Sequence, residues 1–363
     1  MQIREITRFL ESVAPRSLQE SYDNSGLIVG YPNQKVNKVL VSLDVTEAVV
    51  EEAITKNCEM IVSHHPIVFS GLKTFTGKTY VERTVMLAIK NNIALYAMHT
   101  NLDNVAVGVN NVIGKKLKVE NRRILAPKRN LLKKVVVFVP IADKDEVAQA
   151  MFAAGAGQIG NYEECSFESE GMGTFKPGAN SKPSTGAIGT KQKEPEVRLE
   201  VLVEQSALSG VLKAMQDAHP YEEVAYDILS IENVHPQIGS GMIGRLKEPQ
   251  YAFDFLQNIK DTFGGGLRYT DITKDQIETV AWCGGSGSFL LPQAIAAGAD
   301  IFITSDFKYH QFFDAEQKIT IADIGHYENE QFTKALIADF LIEKFPSFAV
   351  LLTDTNTNPI KYL

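Results

Sequence analysis

Short apolar segments alternate with helical segments in the first and last thirds of the chain, and this alternation constrains the fold more than any other sequence feature. Each apolar segment is rich in β-branched residues and too short for a helix, whereas the segments between them show helical spacing. Strands alternating with helices predict an α/β fold, with a mostly parallel sheet covered by helices on both faces (αβα layers). The predicted elements are strand 38–45, helix 46–57, strand 59–63, helix 79–92, strand 93–98 and helix 107–118, then strand 278–283, helix 288–298, strand 299–304, helix 307–318, strand 319–324 and helix 329–345.

The middle of the chain follows a different order, β-α-β-β-α-β, which is the ferredoxin-like α+β plan. We therefore predict an inserted domain at 128–236 within an outer domain formed by 1–127 and 237–363. Three successive domains are the alternative, disfavoured because the site described below needs both outer segments in one cleft. The predicted elements are strand 130–140, helix 142–155, a strand near 165–170, strand 197–204, helix 206–219 and strand 224–231, with turn-rich connectors at 125–130 and 233–241 and a flexible excursion at 171–196.

The composition disfavours several classes of protein. Hydrophobic residues make up 44% of the chain and charged residues 22%, which permits a sizeable core and argues against global disorder. A formal net charge of -8 without a long basic run disfavours nucleic-acid binding. The three scattered cysteines indicate a reducing compartment. Because charges interrupt the N-terminal apolar pattern and no apolar run reaches about 18 residues, we expect a soluble cytoplasmic protein without membrane contact.

Two histidines and then a histidine and an aspartate follow two successive predicted strands. His64 and His65 come directly after 59–63, and His99 and Asp103 come after 93–98. The carboxyl ends of parallel strands line the ligand crevice of an open α/β sheet, so these side chains are expected at one edge. A single buried histidine is more often a hydrogen-bonded polar residue than a ligand. Three histidines and an aspartate at two neighbouring strand ends, however, favour metal binding.

A second pair of potential ligands lies near the end of the chain. His326 and Glu330 are four residues apart after the strand 319–324, so a helix beginning there would place both on one face. The alternative is an ordinary acidic first helical turn, with His326 as a cap.

Together the two segments predict a dinuclear metal site. The set His64, His65, Asp103, His326 and Glu330 is too large for one four-coordinate zinc and suits two ions. Nitrogen and oxygen ligands are compatible with Zn, Fe, Mn, Co or Ni.

Three further features are candidates for roles around this site. His99 and His310 are candidates for proton transfer or for supporting a ligand, with simple packing as the alternative for His310. The glycine-rich segment 283–288 is either a phosphate-binding turn or a structural one. We also expect that Asp23 can reach the cleft.

The motifs SLDVTEAVVEEAITKNCEMIVSHHPIVF, HTNLDN, TSDFKYH and GHYENE resemble the GTP cyclohydrolase 1 type 2 homologues, also called Nif-three-like proteins, and YDNSGLIVG resembles their N-terminal signature. The resemblance implies two metal ions on the five residues above, with Glu330 bridging and zinc the expected metal. It also implies a toroidal homohexamer whose metal sites face a central cavity. The insert is similar to CutA-like and P-two-like modules of longer bacterial members.

Two functions follow from these features. The first is a metal-dependent hydrolase acting on a small molecule or a nucleotide such as GTP. The second is a non-enzymatic metal-handling or regulatory protein whose insert gates the cavity or senses a small effector. A nucleic-acid clamp ranks last because of the net charge.

Overall fold

The computed structural model describes all 363 residues, which divide into two units. The outer unit comprises Met1–Pro127 and Pro236–Leu363, and the inserted unit comprises Lys128–His235. The strands are β1 (Gly26–Val29), β2 (Lys38–Ser42), β3 (Met60–Ser63), β4 (Ala94–Ala97), β5 (Val119–Pro127), β6 (Leu132–Pro140), β7 (Ser166–Phe175), β8 (Gln192–Glu204), β9 (Tyr226–Ser230), β10 (Gly239–Tyr251), β11 (Leu267–Tyr269), β12 (Gln276–Ser286), β13 (Ile301–Ser305), β14 (Thr320–Ile324) and β15 (Ala349–Leu352).

The helices cover the sheets and connect their strands. They are α1 (Ile3–Val13), α2 (Glu47–Thr55), α3 (Tyr80–Lys90), α4 (Thr100–Asp103), α5 (Val109–Lys116), α6 (Lys144–Ala153), α7 (Leu208–Ala218), α8 (Ala252–Phe263), α9 (Leu291–Ala296), α10 (His326–Glu330) and α11 (Thr333–Lys344), with 3-10 helices at Arg16–Leu18, Ser288–Leu290 and Tyr309–Ala315. Thr46 and Thr79 cap α2 and α3 by accepting backbone N–H groups. None of the helices combines the length and apolar character needed to cross a membrane.

The first sheet of the outer unit has the order β1-β4-β3-β2-β15. Its last four strands are parallel to one another, and β1 runs antiparallel at the edge. Strands β3 and β4 are buried on both faces, which explains their uninterrupted apolar sequences. Leu40, Ile61 and Leu95 pack on one face against Val49 of α2 and Val85 of α3.

The second sheet of the outer unit has the order β11-β14-β13-β12-β10-β5. Strands β12, β13 and β14 are parallel, whereas β11, β10 and β5 pair antiparallel with their neighbours. The α/β class is therefore confirmed, but the outer unit contains two mixed sheets where the alternation predicted one.

The predicted connectors at 125–130 and 233–241 conceal parts of β5 and β10. Strand β5 begins with the polar run Glu120–Arg123, which is exposed because β5 is an edge strand and edges commonly carry charges. Strand β10 contains three glycines and a proline, and these residues resemble a turn in sequence. The composition of these two segments therefore did not indicate that they form an antiparallel pair of strands.

The inserted unit is a four-stranded antiparallel sheet of order β7-β8-β6-β9 with α6 and α7 on one face. Its elements follow the β-α-β-β-α-β order. Val137, Leu199 and Val201 of the sheet pack against Met151 and Met215 of the helices. The excursion predicted at 171–196 is shorter than expected, because β7 and β8 extend to Phe175 and Gln192 and pair there.

Candidate metal centre

The first group of site residues lies at the carboxyl ends of β3 and β4. These strands pair in parallel, with Ser63 opposite Ala97. His64 and His65 follow β3 directly, and His99 and Asp103 lie at the two ends of the short segment that contains α4. His64 is fully buried. The sheet register therefore brings the two motifs to one edge, as expected from the ends of parallel strands.

The second group lies on the short helix α10, which follows β14 of the second sheet. His326 and Glu330 are its first and last residues, so the i, i+4 spacing places both side chains on one face. The Glu330 side chain is almost completely buried, whereas His326 is one-third exposed.

The two groups meet around the Glu330 carboxylate. Its Oε2 lies 3.0 Å from Nε2 of His65 and 3.0 Å from Nε2 of His326. Its Oε1 lies 3.6 Å from Nε2 of His64, and that nitrogen lies 3.7 Å from Oδ1 of Asp103. The two carboxylate oxygens therefore face different sets of side chains, His65 with His326 and His64 with Asp103.

Each of the four histidines contacts a protein oxygen through Nδ1. Because a carbonyl or carboxylate oxygen accepts, Nδ1 carries the proton and Nε2 of a neutral ring is left with a lone pair. Such a partner fixes the orientation of an imidazole that binds a metal. The pairs are His64 with the Met98 carbonyl at 2.8 Å, His65 with Asp44 at 2.7 Å, His99 with Asp23 at 2.7 Å and His326 with Asp306 at 2.6 Å.

Two buried polar atoms at the centre lack hydrogen-bond partners: Nε2 of His64 and Oδ1 of Asp103. Buried polar atoms are nearly always paired, and an unpaired one costs free energy. A cation between these atoms would satisfy both, and imidazole nitrogen with carboxylate oxygen is a donor set that divalent metals accept. The residues present therefore fit a metal centre.

The charges of the site are strongly coupled. Burial would raise the pKa of Glu330, but the neighbouring His326 and His64 hold that pKa well below its usual range. Glu330 in turn raises the pKa of His326 to about 11. Burial opposes protonation of His65, yet the hydrogen bond to Asp44 and the proximity of Glu330 raise its pKa to about 10. Burial together with Glu330 raises the pKa of Asp103 to about 7. Without a metal, protons therefore balance the carboxylates.

Gly285 leaves the space that the Glu330 carboxylate occupies. Its φ is +62°, and a Cβ built on it would lie 2.4 Å from Oε1 of Glu330. Both the backbone conformation and the close approach favour glycine here. Part of the glycine-rich segment 283–288 is thus explained by its contact with the site.

A cavity of about 620 Å³ opens beside these residues. This volume lies in the range of small-molecule sites. Its floor includes His65, His99, Asp103, His326 and Glu330. The remaining lining residues are Glu20, Tyr22, Asp44, Val45, Thr46, Pro66, Ile67, Phe69, Tyr80, Thr100, Asn104, Asn110, Ser240, Gly241, Cys283, Gly284, Gly285, Ser286, Phe289, Thr357 and Pro359.

The structure brings the five predicted ligands and His99 together but places His310 elsewhere. His310 is exposed in the 3-10 helix Tyr309–Ala315, does not line the cavity and packs its ring against Tyr309 and Phe313. Its proximity in sequence to the TSDF motif suggested a role that its position does not support.

Sequence reasoning missed Asp44 and Asp306, the carboxylates that orient His65 and His326. Asp44 follows β2, and Asp306 follows β13 with a left-handed φ of +62°. Both therefore lie at carboxyl ends of parallel strands, and the argument that identified His64 and Asp103 would have found them. Asp23, which the sequence placed within reach of the cleft, contacts His99.

Comparison with known proteins gives a consistent result. The model of the Duf34/NIF3 (NGG1p interacting factor 3) family matches residues 1–359. A Bacillus subtilis protein named GTP cyclohydrolase 1 type 2 homolog is 35% identical over 367 residues, covering 99% of this chain and 98% of the relative. A Halalkalibacterium halodurans protein of the same name is also 35% identical, over 364 residues, with the same coverage of both chains.

Two solved structures extend the similarity to the whole fold. The structure of a Bacillus cereus protein related to NIF3 matches with a TM-score of 0.86 at 36% identity, covering 100% of this chain and 99% of the other. A Staphylococcus aureus protein matches with a TM-score of 0.80 at 28% identity and the same coverage. The resemblance found in the sequence motifs is confirmed, and the chain belongs to the Duf34/NIF3 family.

Proposed function

We propose that this protein binds two divalent metal ions and is a metal-dependent hydrolase of a small molecule. The proposal rests on the convergence of three imidazole and two carboxylate groups, among which Nε2 of His64 and Oδ1 of Asp103 are buried without a hydrogen-bond partner. One ion would be held by His65, His326 and Glu330, and the other by His64, Asp103 and Glu330. Glu330 faces one set with each of its carboxylate oxygens, so it would contact both ions.

Two divalent ions in such a site would supply Lewis-acid polarisation of a substrate and lower the pKa of a water molecule. Nitrogen and oxygen donors are compatible with zinc, our first expectation, and with Fe, Mn, Co or Ni. Burial of Glu330 and His64 excludes bulk water from this part of the site, so electrostatic interactions there are strong.

His99 is the residue we assign to proton transfer. Asp23 accepts hydrogen bonds from His99 Nδ1, from the Thr100 backbone and hydroxyl, from the Asn24 backbone and from the Ser25 hydroxyl. These contacts hold the pKa of Asp23 far below its usual range against the effect of burial. The imidazole is thereby held with Nε2 available to the cavity, where it can accept a proton from water or return one to a leaving group.

The experiment combines metal analysis with a hydrolysis screen on the same sample. Protein prepared without added metal should contain about two ions per chain, and a panel including GTP should show turnover that Glu330→Ala abolishes. Glu328→Gln is the matched control on the same helix, because Glu328 contacts Asn358 and Tyr362 and does not line the cavity. Turnover that survives Glu330→Ala would assign the activity to a contaminant.

A metal-handling protein without turnover is the second candidate. It is favoured by the many carboxylates in and around the site, which suit retention of cations: Glu20, Asp23, Asp44, Asp103, Asp306 and Glu330. Reversible transfer of the ions to an apo acceptor, with no turnover across the substrate panel, would support this role over hydrolysis.

The homohexamer and the role of the insert are proposals that rest on the family resemblance. Light scattering coupled to size-exclusion chromatography tests the first, with a mass of about six times 40.1 kDa expected. The insert is proposed to gate the cavity or sense an effector. Deleting 128–235 and measuring metal content and turnover separates such a role from a structural one.

A further inference from the structure

The wall of the cavity contains no fixed cation. Neither lysine nor arginine lines it, whereas four carboxylates do: Glu20, Asp44, Asp103 and Glu330. Proteins that bind polyphosphates normally supply Lys or Arg side chains, because these pair with phosphate oxygens. A polyanion entering this cavity would meet positive charge only at the metal pair.

The negative charge of the carboxylates also exceeds the positive charge that two ions would bring. Asp23 and Asp306 lie behind His99 and His326, which raises the number of carboxylates in and around the site to six. Two divalent ions contribute four positive charges, so the loaded site with neutral imidazoles would remain negative. This potential repels anions and attracts neutral or cationic ligands.

Two N–H donors of the glycine-rich segment 283–288 are not available to a phosphate. The N–H of Gly284 is donated to the Asn110 side chain at 2.9 Å, and that of Gly287 is donated to the Thr304 hydroxyl at 2.9 Å. The Gly285 carbonyl accepts from the Thr304 and Ser305 hydroxyls. These two donors are already used within the protein, which supports the structural interpretation of the segment over the phosphate-binding one.

Aromatic side chains stand at the open side of the cavity. Tyr22, Phe69, Tyr80 and Phe289 line it, yet each is more than half exposed. The Phe69 ring lies edge-on to His99, with 5.6 Å between centroids. Exposed aromatic rings beside a polar, acidic floor suit a flat ring that is neutral or positively charged.

We infer that the ligand of this cavity is a planar nitrogen heterocycle of nucleobase to nucleoside size, uncharged or cationic, and that a nucleoside triphosphate is not its substrate. The inference rests on the proposed function, since the metal pair would bind the reacting end while the aromatic residues bind the ring. It also separates this chain from the substrate that its relatives' name suggests.

Equilibrium binding to the metal-loaded full-length protein tests this inference. The probes are guanosine, adenosine and cytidine, their 5′-triphosphates and inorganic triphosphate, titrated at low salt. We expect at least one nucleoside to bind and its triphosphate to bind at least tenfold more weakly. Raising the salt should narrow this difference because salt screens repulsion. Inorganic triphosphate should not compete with the nucleoside.

Substitutions at two positions make the test specific. Phe289→Ala should weaken nucleoside binding about fivefold, whereas Phe289→Tyr, which keeps the ring, should not. Glu20→Gln, which removes one charge but keeps the shape, should strengthen triphosphate binding a few-fold and so narrow the preference for the nucleoside. Failure of Phe289→Ala to affect binding would show that the ring contacts are not made.

The result that would overturn the inference is tighter binding of a triphosphate than of its nucleoside, or no nucleoside binding up to the solubility limit. Metal content is measured after each titration, because triphosphates chelate free ions. Loss or absence of metal from the untreated protein would contradict the proposed function itself. Retained metal with tight triphosphate binding would contradict only the ligand class inferred here.

Discussion

The outer and inserted units both contain a buried histidine, and the two residues differ in what they leave unsatisfied. In the inserted unit, His219 donates Nε2–H to the Phe138 carbonyl at 3.0 Å and accepts the Tyr221 N–H through Nδ1 at 3.1 Å. In the outer unit, His64 has a partner at Nδ1 alone, and its Nε2 faces two carboxylates without a hydrogen bond. The first is a structural histidine, and the second keeps a buried nitrogen without a partner, as the proposed metal site requires.

This contrast shows that burial does not identify a ligand, whereas the partner of each ring nitrogen does. The pKa values agree with it. Burial lowers the pKa of His219, as expected for a neutral ring held between a carbonyl and an N–H. At the candidate site, the hydrogen bond to Asp44 and the nearby Glu330 overcome burial and raise the pKa of His65. The carboxylates around His65 therefore favour its protonated form, whereas the hydrogen-bond partners of His219 are backbone groups.

Removing the charge of Glu330, the carboxylate proposed to contact both ions, should have the largest effect on metal binding. Glu330→Gln takes one charge from both ligand sets, and we expect each metal affinity to fall at least 100-fold, beyond the usual cost of losing a supporting residue. Competition with a chelator of known affinity measures the change, with Glu328→Gln as the control. Two tightly bound ions in Glu330→Gln would mean that Glu330 is not a shared ligand.

Loss of the carboxylate behind His65 should have the next largest effect. Asp44 accepts from His65 Nδ1 and also from the Thr357 hydroxyl at 2.5 Å. We expect Asp44→Ala to weaken binding of one ion by about 10- to 100-fold while the other is retained, because ring orientation and basicity change at His65 alone. Thr357→Val should produce a smaller loss of affinity for the same ion. Equal loss of both ions in Asp44→Ala would contradict the assignment of His65 to one set.

Metal binding should weaken as the pH falls. The metal-free His65 and His326, with pKa values of about 10 and about 11, are protonated at pH 7. His65 and His326 belong to one ligand set, so the ion bound there must displace two protons, and its affinity should drop roughly 100-fold per pH unit between pH 8 and 6. The other ion competes with the proton of Asp103, whose pKa is about 7, so its affinity should fall by up to roughly tenfold per pH unit below that pH. Calorimetry in buffers of different ionisation enthalpy counts the released protons, with about two or more expected per chain. An affinity independent of pH would contradict the protonated metal-free state.

The smallest effect on metal binding should come from replacing His219 in the inserted unit. His219→Ala leaves the Phe138 carbonyl and the Tyr221 N–H without their partner, so we expect a loss of unfolding free energy of about 1 to 3 kcal/mol. Metal content should not change. Thermal unfolding and metal analysis of the same preparation measure both quantities. A loss of metal in the folded variant would remove the distinction between the two kinds of histidine.

Much of this site could be predicted because it depends on strand ends, which sequence periodicity locates well. His64, His65, His99 and Asp103 follow two apolar runs that could only be buried parallel strands, and His326 and Glu330 follow a third run at helical spacing. The same periodicity predicted the α/β class. The family resemblance implied the same five ligand residues.

The remainder depended on information that local patterns do not carry. The pair β5 and β10 was missed because edge charges and glycines hide its strands. The role of Gly285 could not be predicted, since it depends on Glu330, 45 positions away in the chain. His310 looked equivalent to His99 in sequence, but the 3-10 helix turns it to solvent. Distinguishing such residues requires the tertiary contacts themselves.

Anomalous diffraction from crystals of the metal-loaded protein, recorded on both sides of the absorption edge, decides whether two ions lie between these side chains. We predict two peaks per chain, one contacting His65, His326 and Glu330 and the other contacting His64, Asp103 and Glu330. Crystals of Glu330→Gln should show at most one weak peak. A loaded wild-type crystal with no anomalous peak between these side chains, or with a single ion that contacts neither carboxylate, would contradict the account.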